Sequence, residues 1–275
     1  MMENELIQIV VLAVIQGIAE FLPVSSSGHL LVLGNWFGFD GEKNMMLNVI
    51  LHAGTLLAIV VFYFKNIINI LLQRERRRLI WLVIAGSVPA AVVGFGLKLS
   101  GLDEKIFSQP WIAAIGFAIT GTLLLTVFGT RKSAETPEQG TAIEKLSWKQ
   151  AIMIGCAQAL AITPGISRSG STISAAVMSG MKKSDAAEFS FLLAIPAIGG
   201  ATLLEIVKIF KTPADAVPAS EWGALGIGFI VSAVVGYAAL AGLITMLKKG
   251  RLGWFAFYLY TAAAVTAAVE IIRIF

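Results

Sequence analysis

Two short stretches of this chain hold most of the side chains able to do chemistry. The first carries Gln16 and Glu20, then Pro23-Val24-Ser25-Ser26-Ser27-Gly28-His29. Gln16 and Glu20 are four positions apart and share a helix face. Ser26 and His29 are three apart and can meet if a helix resumes after Pro23. A hydroxyl beside an imidazole is the minimum for an activated nucleophile, and Glu20 can orient the ring or hold a metal. The plainer alternative makes the serines caps of the next helix and His29 a buried, hydrogen-bonded histidine. The second stretch is Pro164-Gly165-Ile166-Ser167-Arg168-Ser169-Gly170-Ser171-Thr172. Gly165 and Gly170 let backbone N–H groups turn toward one point and form an anion nest. The next helix aims its positive end there, and Arg168 adds a fork matched to phosphate oxygens. An arginine that only ties down loop carbonyls is the plainer alternative, but so many donors favour a phosphate or diphosphate.

Elements that position these residues must be unusual, because the chain is apolar throughout. Hydrophobic residues are 57% and charged residues 14% of 275, and mean hydropathy is +0.81. A soluble domain carries about a quarter charged residues, so a polytopic α-helical membrane protein is expected. A spanning helix needs about 20 apolar residues, and six stretches qualify: 46–64, 79–99, 111–129, 188–207, 223–246 and 254–272. Both chemical stretches are instead a short apolar helix, a polar Gly/Pro break, and a second short helix. Irregular backbone at membrane depth survives only when buried in protein or lining a wet cavity, which predicts two re-entrant hairpins. The first apolar stretch lacks a basic leader and a small-residue cleavage site, so no signal peptide is expected. Cys156 stands alone, which excludes an intramolecular disulfide and a thiolate metal cage.

An internal repeat supports the same architecture. A shift of 142 residues lays Gln16 on Gln158, Ala19 on Ala161, Ser25 on Ser167, Ser27 on Ser169 and Gly28 on Gly170. The same shift matches Ala91-Val92-Val93-Gly94 to Ala233-Val234-Val235-Gly236. Each half, about 1–130 and 150–275, then holds one hairpin and three spans, so the halves are inverted within a single membrane domain. The stretch from about 131 to 149 reads as the cytoplasmic linker. With the N-terminus outside, fourteen of the 21 Lys and Arg fall on the inner side and six on the outer, with Arg168 at the break. The positive-inside rule therefore puts both termini outside.

Several other polar residues read blandly. Asp185 and Glu188 have the spacing of a cap pair at a helix start. His52, near the outer end of the first span, could touch the cavity, but a satisfied buried histidine is the plainer reading; Arg74 to Arg78 read as a topology signal beside anionic lipid, and Asp103 and Glu104 as loop acids. No Walker loop, His-Glu-x-x-His helix or nucleic-acid patch is present.

At its two breaks the chain resembles the bacterial undecaprenyl-diphosphate phosphatases that confer bacitracin resistance. The resemblance rests on Gln16-x-x-x-Glu20, on Pro23 to Ser26 with His29, and on Pro-Gly-x-Ser-Arg-Ser-x-x-Thr over Pro164–Thr172, and it runs along the whole chain. It implies hydrolysis of undecaprenyl diphosphate to the monophosphate carrier and phosphate, in support of peptidoglycan synthesis. It further implies a bacterial plasma (inner) membrane protein whose site faces outside, assisted by Mg²⁺ or Ca²⁺. On that reading Glu20, with Gln16, holds the metal, and Arg168, Ser167, Ser169 and Thr172 bind the diphosphate, with Ser25, Ser27, Gly165 and Gly170 beside them. Ser26 is the candidate nucleophile with His29 as base or leaving-group acid, and His29 as direct nucleophile is the rival. Grooves between spans would take the prenyl tail; the bilayer is a partner, nucleic acid is not, and a homodimer stays open. A transporter or flippase for a polyprenyl phosphate or other anion is the alternative to an enzyme. Single cysteines at positions 76 and 249 on a Cys156-free background should resist an impermeant reagent added outside; labelling from outside would overturn the orientation.

Overall fold

A computed structural model describes residues 2–37, 41–102, 106, 108–129, 140–211 and 222–274. The regular elements among them are helical: α1 Met2–Phe21, α2 Ser26–Phe37, α3 Gly41–Phe62, α4 Phe64–Leu72, α5 Arg78–Ser100 and α6 Pro110–Phe128, followed by α7 Trp148–Leu160, α8 Arg168–Met178, α9 Lys183–Lys211, α10 Trp222–Lys248 and α11 Trp254–Ile274. Among the described residues, five helical stretches are long and apolar enough to cross a bilayer: Arg74–Ser100, Pro110–Phe128, Lys183–Val207, Trp222–Lys248 and Trp254–Arg273. Each matches an expected span. The remaining expected span, 46–64, corresponds to Met46–Phe62. The helix breaks at Tyr63, and Phe64–Leu72 leaves at 67° to Met46–Phe62. The cause lies in α4, where Lys65, Asn66 and Asn69 interrupt the apolar run and Ile70 alone is fully buried. An amphipathic segment of this kind does not prolong an apolar span. At 13 and 11 residues, α7 and α8 are each too short to cross.

The outward faces of the long helices carry bare Val, Ile, Leu and Phe, such as Val92, Ile230, Val234 and Phe257. Trp111, Trp148, Trp222 and Trp254 lie exposed within the first two residues of their helices, and Trp81 in the first turn of α5. Tryptophan at helix ends and aliphatic residues between them are what a lipid-facing surface requires. The chain is a multi-pass membrane protein.

The most extensive helix pairings join the two halves of the sequence: α1 with α10, α3 with α10, α6 with α11, and α5 with α7. Without a hydrophobic drive between helices in lipid, close backbone approach at small residues supplies the packing. The α5–α7 crossing shows this. A Cβ on Gly155 would lie 2.1 Å from the Gly86 carbonyl oxygen. The described end of the linker is tied down: Thr141 N donates to Gly180 O (2.8 Å) and Lys182 N to Thr141 O (3.1 Å). Asp185 is not a cap; it lies inside the first turn of α9 and accepts from Ile143 N (2.9 Å). Asp103, Glu104 and residues 131–139 of the expected linker lie outside the described residues.

Gly155→Ala is expected to destabilise the detergent-purified protein by about 1–3 kcal/mol, the usual cost of overpacking. Gly34→Ala, whose Cβ meets nothing within 4 Å, should be neutral or mildly stabilising. Equal melting temperatures for the two variants would contradict the packing assigned to α5 and α7.

Candidate active site

The first break is a tight turn from Leu22 to Ser25 between α1 and α2. Ser25 takes φ +68°, a left-handed value that is uncommon outside glycine. Its carbonyl accepts from His29 N (3.3 Å) and its hydroxyl from Gly28 N (3.3 Å), so the turn and the first turn of α2 lock together. His29 strengthens this lock. A carbonyl only accepts, so Nδ1 donates to Ser25 O (2.7 Å), and Nε2 takes the Tyr258 hydroxyl proton (2.6 Å). The imidazole also stacks on Tyr258 and leans on Phe117. With both nitrogens engaged, His29 does not form the expected pair with Ser26.

Ser26 has a different partner. Its hydroxyl donates to Glu20 Oε2 at 2.7 Å, and Gln16 Nε2 donates to the same oxygen at 3.1 Å. The other carboxylate oxygen, Oε1, accepts from Arg168 Nη2 at 2.6 Å. Ser26, Glu20 and Arg168 thus form one continuous chain across the two breaks, with Gln16 wholly buried behind it. A carboxylate that already accepts the serine proton is placed as a general base.

The second break is held from several sides. Gly165 adopts φ +86°, and a Cβ there would lie 2.1 Å from Ala113 O, so only glycine fits. Thr120, a residue the sequence did not single out, donates to Gly165 O (3.1 Å) and accepts from Ser167 N (3.0 Å). Ser167 caps α8 by accepting from Gly170 N (3.1 Å), as its side chain type favours. Ser169 donates to Leu22 O (3.2 Å) across the breaks, and Thr172 donates to Arg168 O (2.8 Å). A Cβ on Gly28 would meet Gly165 N at 2.7 Å, so the two breaks touch backbone to backbone.

A cavity of about 700 Å³ opens at this junction, lined by Glu20, Ser25, Ser26, Ser27, His52, Gln158, Ser167 and Arg168. Its remaining walls are mainly apolar. They follow α5 from Ser87 to Lys98 and α9 from Pro196 to Glu205. Eleven residue steps of helix cover about 16 Å at 1.5 Å each, which suits a polar head group with an apolar tail. Lys98 and Glu205, both in the lining, pair at 3.1 Å.

Of the residues singled out from sequence, Glu20, Ser25, Ser26, Ser27, Ser167 and Arg168 line the cavity. Gly165, Ser169, Gly170 and Thr172 are not among the lining residues and instead brace the second break, and His29 is outside the lining too. His52 meets both of its readings: it lines the cavity and is hydrogen-bonded. Its Nδ1 donates to Asn48 O (2.7 Å), and Nε2 lies 3.9 Å from Glu20 Oε2. The one signal for it was an ionisable side chain within a membrane segment.

Among the described residues no three His, Cys, Asp or Glu gather at one point. Gln16 Oε1, however, is buried without a hydrogen-bond partner beside the Glu20 carboxylate. This all-oxygen set fits a hard divalent cation, which commonly takes one or two carboxylates and completes its shell from substrate phosphate.

Arg168→Ala leaves the Glu20 carboxylate buried and unpaired, and is expected to cost about 3–5 kcal/mol of stability. Adding Glu20→Gln should recover part of that loss in detergent melting curves. Strictly additive losses would contradict the ion pair.

The family model for bacitracin resistance protein BacA matches residues 9–265. A relative from Rhodopirellula baltica, named undecaprenyl-diphosphatase, is 41% identical over 268 residues, covering 98% of this chain and 99% of that protein. Relatives of the same name from Rubrobacter xylanophilus and Caldicellulosiruptor bescii are 37% and 35% identical, covering 96% and 97% of this chain and 98% of each protein. With the breaks that carry the motif packed against each other at one cavity, sequence and geometry agree: this chain belongs to the BacA bacitracin-resistance family.

Proposed function

We propose that this protein hydrolyses undecaprenyl diphosphate to undecaprenyl phosphate and inorganic phosphate. The reaction recycles the lipid carrier for peptidoglycan synthesis and gives bacitracin resistance. The observation that carries the reading is the Ser26–Glu20–Arg168 chain at the polar end of an apolar-walled cavity. A nucleophile with its base and a guanidinium for phosphoryl charge are the parts phosphoryl transfer needs.

In the proposed reaction the terminal phosphate enters the cavity and takes Arg168 Nη1, which is buried without a partner. Ser26 Oγ attacks the terminal phosphorus as its proton passes to Glu20. The bond from that phosphorus to the bridging oxygen breaks, and undecaprenyl phosphate leaves with the proton returned by Glu20. Water then attacks the phosphoserine, giving its proton to Glu20; the bond from phosphorus to Ser26 Oγ breaks, Glu20 returns that proton to Ser26 Oγ, and inorganic phosphate is released. Arg168 absorbs the charge that develops on the phosphoryl oxygens. His29 is a positioning residue: it fixes the Ser25 carbonyl and so the turn that aims Ser26. A divalent cation, Mg²⁺ or Ca²⁺, would be held by Glu20 and Gln16 and would neutralise phosphate charge when bound.

We also propose that α1–α2 and α7–α8 are re-entrant hairpins of two inverted repeats within one membrane domain. The helix pairings support this: α1 against α10 becomes α7 against α5 under the 142-residue shift. The basic-residue asymmetry supports termini and site on the outer side of the plasma membrane. Detergent-purified protein should release phosphate from undecaprenyl diphosphate, stop in EDTA, and lose about 10³–10⁵-fold in rate in Arg168→Ala. Intact protein that releases no phosphate with any added metal would instead favour a transporter using Arg168 to hold an anion.

A further inference from the structure

Gln158 sits at the end of α7, 97% buried, and lines the cavity beside the second break. Neither its side-chain nitrogen nor its side-chain oxygen has a hydrogen-bond partner among the described residues. A buried amide left wholly unpaired is destabilising, and such groups in native structures call for an explanation. Surface position does not supply one, since the side chain is enclosed.

The internal repeat does. Gln158 is the counterpart of Gln16 at the 142-residue shift. In the first half, Gln16 Nε2 donates to the carboxylate of Glu20, one helical turn on. In the second half the residue one turn on is Ile162, which also lines the cavity but offers no acceptor. Gln158 therefore has the donor of its counterpart without the anion that the donor serves. Arg168 Nη1 is in the same condition in the same cavity, buried and unpaired.

We infer that Gln158 is a diphosphate-binding residue, whose side-chain N–H groups take an anionic phosphoryl oxygen in place of the carboxylate missing from the second half. This rests on the phosphatase reading and adds to it a ligand that the Pro164–Thr172 motif does not contain. The substrate thereby completes in the second half the contact that Glu20 makes in the first. The unpaired amide is stability given up by the free protein for binding.

The test uses the full-length protein in detergent, a farnesyl methylenediphosphonate as non-hydrolysable probe, and undecaprenyl diphosphate as substrate. Gln158→Leu keeps the side chain's bulk and removes the polar group. It should leave the melting temperature of the free protein unchanged or higher, while weakening the diphosphonate and raising KM by about tenfold to a hundredfold, as for a lost hydrogen bond to a charged group. Gln158→Glu, which turns an anion toward the phosphates, should weaken binding further, and it decides the matter if Gln158→Leu does not fold. Wild-type affinity in either folded variant, or a lower melting temperature with unchanged KM, overturns the assignment. Wild-type protein that neither binds the probe nor releases phosphate overturns the phosphatase reading and this inference with it.

Discussion

The ion pair between Glu20 and Arg168 joins side chains 148 positions apart and holds the two breaks of the chain at one point. Its enclosure makes it consequential. A carboxylate or a guanidinium buried alone is prohibitively costly, whereas each answers the other at 2.6 Å. The surrounding structure serves that encounter. Thr120 and Ser167 fix the loop from which Arg168 departs, and His29 with Tyr258 fixes the turn below Ser26. The backbone contact of Gly28 on Gly165 sets the separation of the two loops. Because the most extensive helix pairings join the two halves of the sequence, neither half forms the site by itself.

Among the described residues, this region holds four of the seven buried side-chain atoms without a hydrogen-bond partner. Gln16 Oε1, both polar atoms of Gln158, and Arg168 Nη1 are buried without partners, while the hydroxyls around them are nearly all engaged within the protein. Hydroxyls that cap helices and bridge loops build the frame. The unpaired groups left over at Gln158 and Arg168 line the cavity that a ligand would enter. Local rules for a stable core are broken where function needs them broken.

Much of this was legible in the sequence, for a physical reason. Polar residues in an apolar chain are expensive, so Gln16, Glu20, the serine run and the Arg168 loop stood out without any coordinates. Span lengths were equally plain, because hydropathy and bilayer thickness constrain them. What stayed hidden depended on contacts between distant positions. His29 looked like the partner of Ser26 because three residues separate them, but Tyr258, 229 positions away, holds its outer nitrogen. Ser26 instead reaches back across the turn to Glu20, a geometry set by the positive φ of Ser25 rather than by helical spacing. Thr120 and His52 lie in apolar helices with no motif around them.

In the proposed reaction a diphosphate occupies this cavity with its terminal phosphorus between Ser26 and Arg168. An experimental structure with a bound prenyl methylenediphosphonate tests it most directly. Phosphonate oxygens are expected within hydrogen-bond distance of the Arg168 guanidinium and the terminal phosphorus facing Ser26 Oγ, with the prenyl chain along α5 and α9. A head group bound elsewhere, with the Ser26–Glu20–Arg168 chain undisturbed and the cavity vacant, would contradict it.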